Sequence, residues 1–321
     1  MSTTCKSPKK IALLALGIGR FIFPKYVSPY SRQDFTKPQL FACLILRKFM
    51  KLDYRSMTQY IEDFSDIRDW LGLKKTPHFT TLQKNERQLM SYGNYGQLID
   101  HTVAFTYNLA LPGNQEGLTE GYCVDLAAID STGFGSRHCS KFYISKIKRN
   151  SQEKQMITYT RWPKLGLICD CDTHLILGTH FSIGPHPDIN QLNDTLDGLA
   201  INVVVDTMLA DAGYDSESNH QDLRDCGIET VIPPNAGRPT DKLPKSKWRF
   251  MMAADFDEDT YGQRWQVETV MSLLKRNLGE ALSCRCDERR DQEMMLMVLT
   301  HNMAIIYESR GFLQSIINYV L

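Results

Sequence analysis

The sequence lacks an excess of charge of either sign, because its 321 residues contain 37 Lys and Arg against 37 Asp and Glu. It also lacks an apolar run of the roughly 20 residues that a membrane-spanning helix needs. The apolar run at residues 11–18 follows two lysines, but Arg20 interrupts it early and no small-residue cleavage site follows. Internal repeats and low-complexity tracts are absent, and 42% of the residues are hydrophobic. These features exclude a fibrous or wholly disordered chain and predict a soluble cytoplasmic protein without a membrane partner.

Cysteine usage gives little support for a secreted disulfide scaffold. The nine cysteines are odd in number and scattered, and Cys43, Cys123 and Cys169 lie within apolar runs. This pattern is typical of buried free thiols in a reducing compartment. The two Cys-x-Cys pairs, at residues 169–171 and 284–286, leave a structural zinc site open as the weaker alternative. No nucleophilic Ser or Cys arrangement and no phosphate-binding glycine loop followed by Lys is present.

The zero net charge conceals an uneven distribution. Residues 1–110 contain 16 Lys and Arg against 8 Asp and Glu, whereas the remainder contains 21 against 29. Within that acidic remainder, residues 134–164 contain eight basic residues and one acid, Glu153. Such an arrangement predicts a polyanionic partner that is bound at several places. Ordinary surface charge explains the same counts equally well.

The amino-terminal part is predicted to be helical after a loosely structured start at residues 1–36. Apolar residues recur at three- and four-residue steps in residues 37–52, 57–71 and 76–89. Three short helices with basic residues near the last turn suit a helix-turn-helix-like unit at about 37–90 that enters a DNA groove. A plain helical bundle has the same periodicity. A cluster of Pro, Gly and Asn at 111–121 separates this part, residues 1–115, from residues 116–321.

After the boundary the pattern becomes that of an α/β domain. The predicted strands cover residues 124–130, 165–171, 174–183, 203–211 and 228–232, and the predicted helices cover 188–199, 216–226, 260–278 and 291–309. The order is three strands, helix, strand, helix, strand and further helices, which predicts an α/β fold.

Three carboxylates stand out by their position in these elements. Asp130 ends the first strand, Asp211 ends the fourth, and Glu268 lies on the long helix. Two strand-end aspartates side by side are costly unless a cation neutralises them, and hard oxygen ligands suit Mg²⁺ or Mn²⁺. Taken singly, each aspartate could equally be a turn or cap residue.

The long helix carries four polar residues on one stripe. At about 100° per residue, Tyr261, Arg264, Glu268 and Lys275 fall within about 60° of one another. A solvated face accounts for the charged members of the stripe. It accounts less well for a Tyr and a Glu that align beside two strand-end aspartates.

The pattern Tyr-x2-Arg-x3-Glu-x6-Lys, formed by these four residues, resembles the signature of the DDE-class insertion-sequence transposases of bacteria and archaea. Ile-Asp-Ser-Thr around Asp130, Ala-Asp-Ala-Gly-Tyr-Asp around Asp211 and Gly-Pro-His-Pro-Asp at 184–188 resemble other parts of that family in the same order. The resemblance covers residues 120–305. It implies a ribonuclease H-like mixed sheet flanked by helices, with an all-α DNA-binding part upstream.

The resemblance also implies an activity and its partners. Such an endonuclease binds the inverted terminal repeats of its element, cuts double-stranded DNA and joins the freed 3′-hydroxyl to a target strand, usually as a homodimer. Two Mg²⁺ or Mn²⁺ ions would support this phosphoryl transfer. Asp130 is predicted to bridge both ions, and Asp211 and Glu268 to hold one each. An inactive DNA-binding relative and a nuclease that does not join strands remain as alternatives.

Further residues are predicted to contact DNA. Arg264 and Lys275 would contact phosphates flanking the cut, and Tyr261 would stack on or hydrogen-bond to the end nucleotide. The basic insert at 134–164 would follow the first strand over the site and form a channel with interleaved aromatic residues. Its candidate contacts, and one from the basic segment that extends to Arg249, are Lys141, Lys146, Lys148, Arg149 and Arg238. A solvated loop is the alternative for both segments.

Overall fold

The computed structural model describes residues 4–26, 28, 30, 32–91, 95–107, 121–136, 161–235 and 243–309. Lys141, Lys146, Lys148, Arg149 and Arg238 lie outside these described residues, as does most of the basic insert at 134–164. The predicted domain boundary near residue 115 also lies outside them, so the division into 1–115 and 116–321 stays a prediction.

The amino-terminal part is helical, and its first helix begins earlier than expected. The helices are α1 Pro8–Ile22, α2 Lys37–Phe49, α3 Tyr54–Asp63, α4 Ser65–Leu71, α5 Phe79–Leu89 and α6 Tyr95–Tyr107. The prediction of a loose start at 1–36 is wrong for α1. Ser7 caps this helix, Pro8 begins it, and the apolar run at 11–18 is buried. A Cβ at Gly19 would lie 3.0 Å from the Phe41 ring, so a glycine permits the close approach of α1 and α2.

Five strands form a mixed sheet in the order β4-β3-β1-β5-β6. Their bounds are β1 Tyr122–Gly133, β3 Trp162–Asp170, β4 Ile176–Gly184, β5 Val203–Leu209 and β6 Glu229–Val231. β1 pairs antiparallel with β3, and β3 with β4, whereas β5 and β6 continue parallel to β1. The predicted ribonuclease H-like α/β fold, with helices around a mixed sheet and a helical amino-terminal part, is therefore confirmed.

The remaining elements connect these strands and follow them. They are α7 Leu192–Leu196, α8 Glu217–Asp225, α9 Lys247–Ala254, α10 Glu258–Tyr261, α11 Trp265–Leu278 and α12 Asp287–Ser309. Two short strands, β2 Gly135–Ser136 and β7 Ala281–Leu282, pair in parallel. This small ladder joins the segment after β1 to the segment after α11.

Helix α12 is the central element of the core, since it contacts both the amino-terminal helices and the sheet. Its residues 294–300 are buried throughout. The Asn302 side chain accepts a hydrogen bond from the Ile176 amide at 3.0 Å and donates one to the Ile176 carbonyl at 2.8 Å. Burial lowers the pKa of His301 to about 4, so this side chain is neutral at pH 7. The helices and the sheet share one continuous hydrophobic core.

Two further predictions concern the cysteines and the apolar character of the helices. Its cysteines are free thiols; Cys43 and Cys169 are buried as expected, whereas Cys123 is exposed. Among the described residues, no helix combines the length and apolar character that a membrane crossing requires.

A buried ion pair fastens the amino-terminal helices to α12. The Lys48 Nζ lies 3.1 Å from Glu293 Oε1, and both side chains are about one-tenth exposed. The other oxygen of Glu293 accepts hydrogen bonds from the amides of Ser283 and Cys284, at 2.9 and 3.1 Å. Glu293 therefore fixes three segments of the chain at one point.

Replacement of Lys48 by Met should lower the free energy of unfolding by about 3–5 kcal/mol, because it leaves the Glu293 carboxylate buried without its counter-ion. Urea denaturation measures this loss. The matched control is Lys75→Met, which breaks an exposed pair with Asp34 and should leave the free energy of unfolding nearly unchanged. Equal losses in the two variants would show that the buried pair does not fasten the two parts.

Candidate active site

Asp130 and Asp211 reach the same end of the sheet. The parallel register of β1 and β5 pairs Ala128 with Leu209, and each aspartate lies two residues further along its chain. Asp211 follows β5 and caps a short 3₁₀ turn, in which its Oδ1 accepts a hydrogen bond from the Gly213 amide at 2.8 Å. The two predicted strand-end aspartates are therefore neighbours.

The helix predicted at 260–278 is helical throughout but not uniform. A 3₁₀ turn at Gly262–Arg264 separates α10 from α11, and such tightened turns are common at helix starts. The regular 100° spacing therefore does not extend back to Tyr261. Within α11 the pattern is as predicted, since Glu268 is exposed while the apolar face is buried. That buried face consists of Val267, Val270, Met271, Leu274 and Leu278.

Arg264 connects the helix to the sheet. Its guanidinium Nη1 lies 3.6 Å from Asp130 Oδ2, and its Nη2 donates a short hydrogen bond to Glu268 Oε1. The Tyr261 ring lies below the same guanidinium, with its centroid 5.9 Å away. The Arg264 side chain is 20% exposed and Asp130 18%, so this pair is largely shielded from water. A cation therefore already lies between two of the three predicted carboxylates.

The electrostatic environment of Asp130 favours binding of positive charge. Burial, together with the charges of Asp211 and Asp188, raises the pKa of Asp130 to about 6. The Ser131 amide, which donates to Asp130 Oδ1 at 2.7 Å, and the Arg264 guanidinium act in the opposite direction. Burial is the largest cause of the shift, and the charge of Asp211 raises the pKa more than the charge of Arg264 lowers it, so Arg264 compensates the negative charge of this cluster only in part.

The residue types at this site suit a divalent metal ion, although the oxygens of the three carboxylates are not all within ligand distance of one another. The oxygens of Asp130, Asp211 and Glu268 do not all lie within 4.8 Å of one another. Arg264 occupies the space on the Glu268 side. Three hard carboxylate donors with incompletely neutralised charge are nevertheless the ligands that Mg²⁺ and Mn²⁺ prefer.

Among the described residues, a compact group of potential metal ligands lies elsewhere on the sheet. Cys123, Asp125 and Asp206 have ligand atoms within 4.8 Å of one another, and all three residues are exposed. Asp125 precedes Asp130 by five residues on β1, which is about 16 Å along a strand. The group is thus separate from the strand-end aspartates, and its thiol is a softer donor than a magnesium site uses.

Lys275 lies farther along α11, over the ladder of β2 and β7. Its ammonium is 5.5 Å from the centroid of the Phe134 ring, and burial lowers its pKa. An open groove beside it is lined by Lys51 and Arg276 as well. The Lys51 Nζ donates to the Arg276 carbonyl at 2.9 Å, so a residue from the amino-terminal helices contributes to this basic groove.

Sequence reasoning missed a polar cluster beside Asp130. Asp188 Oδ1 accepts a hydrogen bond from Ser131 Oγ at 2.6 Å and forms a short ion pair with Lys164. The Tyr214 hydroxyl is fully buried in the same region, and burial, together with the charges of Asp188, Asp130 and Asp211, raises its pKa. Asp188 ends the Gly-Pro-His-Pro-Asp segment, which resembles the family's sequence. That resemblance is the one sequence feature that could have indicated a role for Asp188.

A second missed network holds the segment that leads to α10 and α11. Asp215 is fully buried, and its carboxylate accepts three hydrogen bonds from Arg249, at 2.8 to 3.1 Å, and one from the Asn235 amide at 2.6 Å. The predicted role of Arg249 in a DNA channel is therefore not supported by its position, because its guanidinium is engaged by Asp215. The nearby Glu217 carboxylate accepts from the Trp248 and Arg249 amides. This network anchors α9 beside the 3₁₀ turn that begins after Asp211.

Comparison with known proteins identifies the family of the chain. A family model described as "Transposase DDE domain" matches residues 123–303, which are more than half of the chain. Among solved structures, the chain is similar to the piggyBac transposase in a cryo-EM synaptic complex with hairpin DNA. Sequence identity is 13% and the TM-score is 0.44, over 95% of this chain and 72% of that chain. On the family match, the chain belongs to the DDE-domain transposases.

Proposed function

We propose that the protein is the transposase of an insertion sequence, which binds the terminal inverted repeats and catalyses metal-dependent DNA cleavage and strand transfer. The observation that carries the proposal is the bridge from Arg264 to Asp130 and Glu268, with Asp211 beside Asp130. It supports a shared role at one end of the sheet for Asp130 and Glu268, which are 138 positions apart in the sequence.

Asp130, Asp211 and Glu268 are the residues that would hold two divalent cations, Mg²⁺ or Mn²⁺, with Asp130 shared between them. When bound, such ions neutralise charge on the transferring phosphate and lower the pKa of the attacking water or hydroxyl. The incompletely compensated charge around Asp130 supports this assignment. Phosphoryl transfer requires no covalent enzyme intermediate, so the described site needs no nucleophilic side chain.

Arg264 has two roles in this proposal. Without DNA, its guanidinium neutralises Asp130 and Glu268, as the ion pairs show. With DNA, the same planar group binds a phosphate beside the cut and releases the two carboxylates. Arg suits such an exchange because its donors match the geometry of carboxylate and of phosphate. Tyr261, which lies against Arg264, would then stack near the end nucleotide.

The partners follow from the same proposal. Lys275 and the basic groove that it shares with Lys51 and Arg276 bind the backbone of the element end. Residues 1–115 supply further DNA contacts through the helices at about 37–90, and the target is a second double-stranded DNA. A homodimer that holds two ends is part of the proposal. The cytoplasm is its proposed location.

Glu268→Gln should reduce metal-dependent cleavage of an end-containing oligonucleotide to background, because it removes the charge of one ligand. End binding should change by less than about threefold, since the substitution is isosteric and Glu268 is 56% exposed. Single-turnover cleavage and a gel-shift titration measure the two effects.

The matched control for that experiment is Glu258→Gln, which neutralises an acid in the first turn of α10 and should cleave normally. Cleavage by Glu268→Gln at the normal rate would contradict the assignment of the carboxylate. The wild-type protein separates the alternatives: binding without cleavage indicates an inactive relative, and cleavage without joining indicates a nuclease.

Lys275→Ala should weaken end binding and reduce the slope of log K against log salt by about one, because one phosphate contact is lost. Lys275→Arg keeps the charge and should retain the wild-type slope. Fluorescence anisotropy at several salt concentrations measures both. An unchanged slope in Lys275→Ala would remove this residue from the phosphate contacts.

A further inference from the structure

A continuous chain of polar contacts connects Lys164 to Asp130. The Lys164 ammonium pairs with Asp188, whose Oδ1 accepts the Ser131 hydroxyl at 2.6 Å, and the Ser131 amide donates to Asp130 Oδ1 at 2.7 Å. Lys164 lies on β3 and Asp188 in a 3₁₀ turn, whereas Ser131 and Asp130 are consecutive residues of β1. The Asp130 carboxylate is thus connected through Ser131 to groups outside its own strand.

The far end of this chain is firmly held. The Lys164 side chain is 9% exposed, and its Nζ also donates to the His186 carbonyl at 2.8 Å. Lys164 lies on β3, opposite Gly133 of β1, and Asp188 begins a 3₁₀ turn directly after Pro187. A lysine that is largely buried requires a partner, because an unpaired charge in such a place is strongly destabilising. Lys164 thus fixes Asp188 beside Ser131.

Asp188 reaches Asp130 through a single residue. Its Oδ1 accepts a hydrogen bond from the Ser131 hydroxyl, and the Ser131 amide donates to Asp130 Oδ1. The charge of Asp188 is also a minor contribution to the raised pKa of Asp130, which burial mainly causes.

A buried tyrosine extends the same cluster to the second aspartate. The Tyr214 hydroxyl is fully buried and makes no hydrogen bond of ordinary geometry with the described residues, although it interacts with Ser131. The Tyr214 amide donates to the Asp211 carbonyl at 3.0 Å, within the turn that Asp211 caps. Tyr214 therefore connects Ser131, which is next to Asp130, with the turn that Asp211 caps.

We propose that Asp188, with Lys164 as its counter-ion, is a positioning residue that holds Ser131 so that the Ser131 amide orients the Asp130 carboxylate for cation binding. The inference rests on the proposed function, since it assigns Asp188 to the same site. Asp188 acts through Ser131 and need not touch DNA. Groups that orient metal ligands typically change metal affinity or activity 10–100-fold when they are removed.

The test uses the full-length protein with three substitutions: Ser131→Ala, Asp188→Asn and Ser131→Thr. Mn²⁺ binding, measured by electron paramagnetic resonance with and without end DNA, should weaken at least tenfold in Ser131→Ala and in Asp188→Asn. Ser131→Thr keeps the hydroxyl and should bind Mn²⁺ within about threefold of the wild type. In cleavage assays, the Mn²⁺ concentration for half-maximal rate should rise in the first two variants, whereas DNA affinity should stay unchanged.

Glu86→Gln is the control, because it weakens a buried ion pair with Arg47 that lies among the amino-terminal helices. It should lower the melting temperature without a change in Mn²⁺ affinity. Wild-type Mn²⁺ affinity in Ser131→Ala and Asp188→Asn would overturn the positioning role.

Crystal structures of the wild type and of Ser131→Ala give a readout that does not depend on metal. The Asp130 carboxylate should have one orientation in the wild type and a changed or multiple orientation in the variant. An unmoved Asp130 would overturn the inference even if the wild type bound no Mn²⁺. Failure of wild-type Mn²⁺ binding together with a displaced Asp130 would instead count against the proposed function alone.

Discussion

The site depends on one electrostatic constraint: carboxylates gathered at the end of a sheet must be neutralised by a cation. At an effective dielectric constant of about 20, two unit charges 4 Å apart interact by about 4 kcal/mol. The protein meets this constraint in part with Arg264, which lies in the 3₁₀ turn before α11 and reaches Asp130 on the sheet and Glu268 on α11. The charge of Asp211 acts on the pKa of Asp130 more strongly than the charge of Arg264 does, so the neutralisation is incomplete. A site of this kind is suited to exchange one cation for another.

Separate structural features bring the charged groups together at one end of the sheet. The parallel pairing of β1 with β5 sets Asp130 beside Asp211. The buried face of α11 fixes the helix against the sheet and leaves Glu268 exposed. The Asp215–Arg249 ion pair anchors the preceding helix, and α12 connects the sheet to the amino-terminal helices. Because the amino-terminal helices and the sheet share one core, the groove beside Lys275 receives residues from both parts of the chain.

The sequence predicted those features that local patterns encode. Strand periodicity located Asp130 and Asp211, and the spacing of four residues located Arg264 and Glu268 on one helix. Helix α1 escaped prediction because its burial depends on a partner helix with which Gly19 makes close contact. The role of Asp188 escaped it because Ser131 and Asp188 are 57 residues apart, and only the folded sheet brings them together. Whether Arg264 or a metal ion occupies the site is likewise a tertiary property that spacing does not encode.

The most direct test of this account is a crystal structure with end DNA and Mn²⁺, in which anomalous scattering locates the metal. The account predicts a peak within ligand distance of Asp130 and Asp211, Glu268 turned towards it, and Arg264 moved from both carboxylates to a DNA phosphate. A peak at Cys123, Asp125 and Asp206 instead, with Arg264 still paired to Asp130 and Glu268, would contradict it.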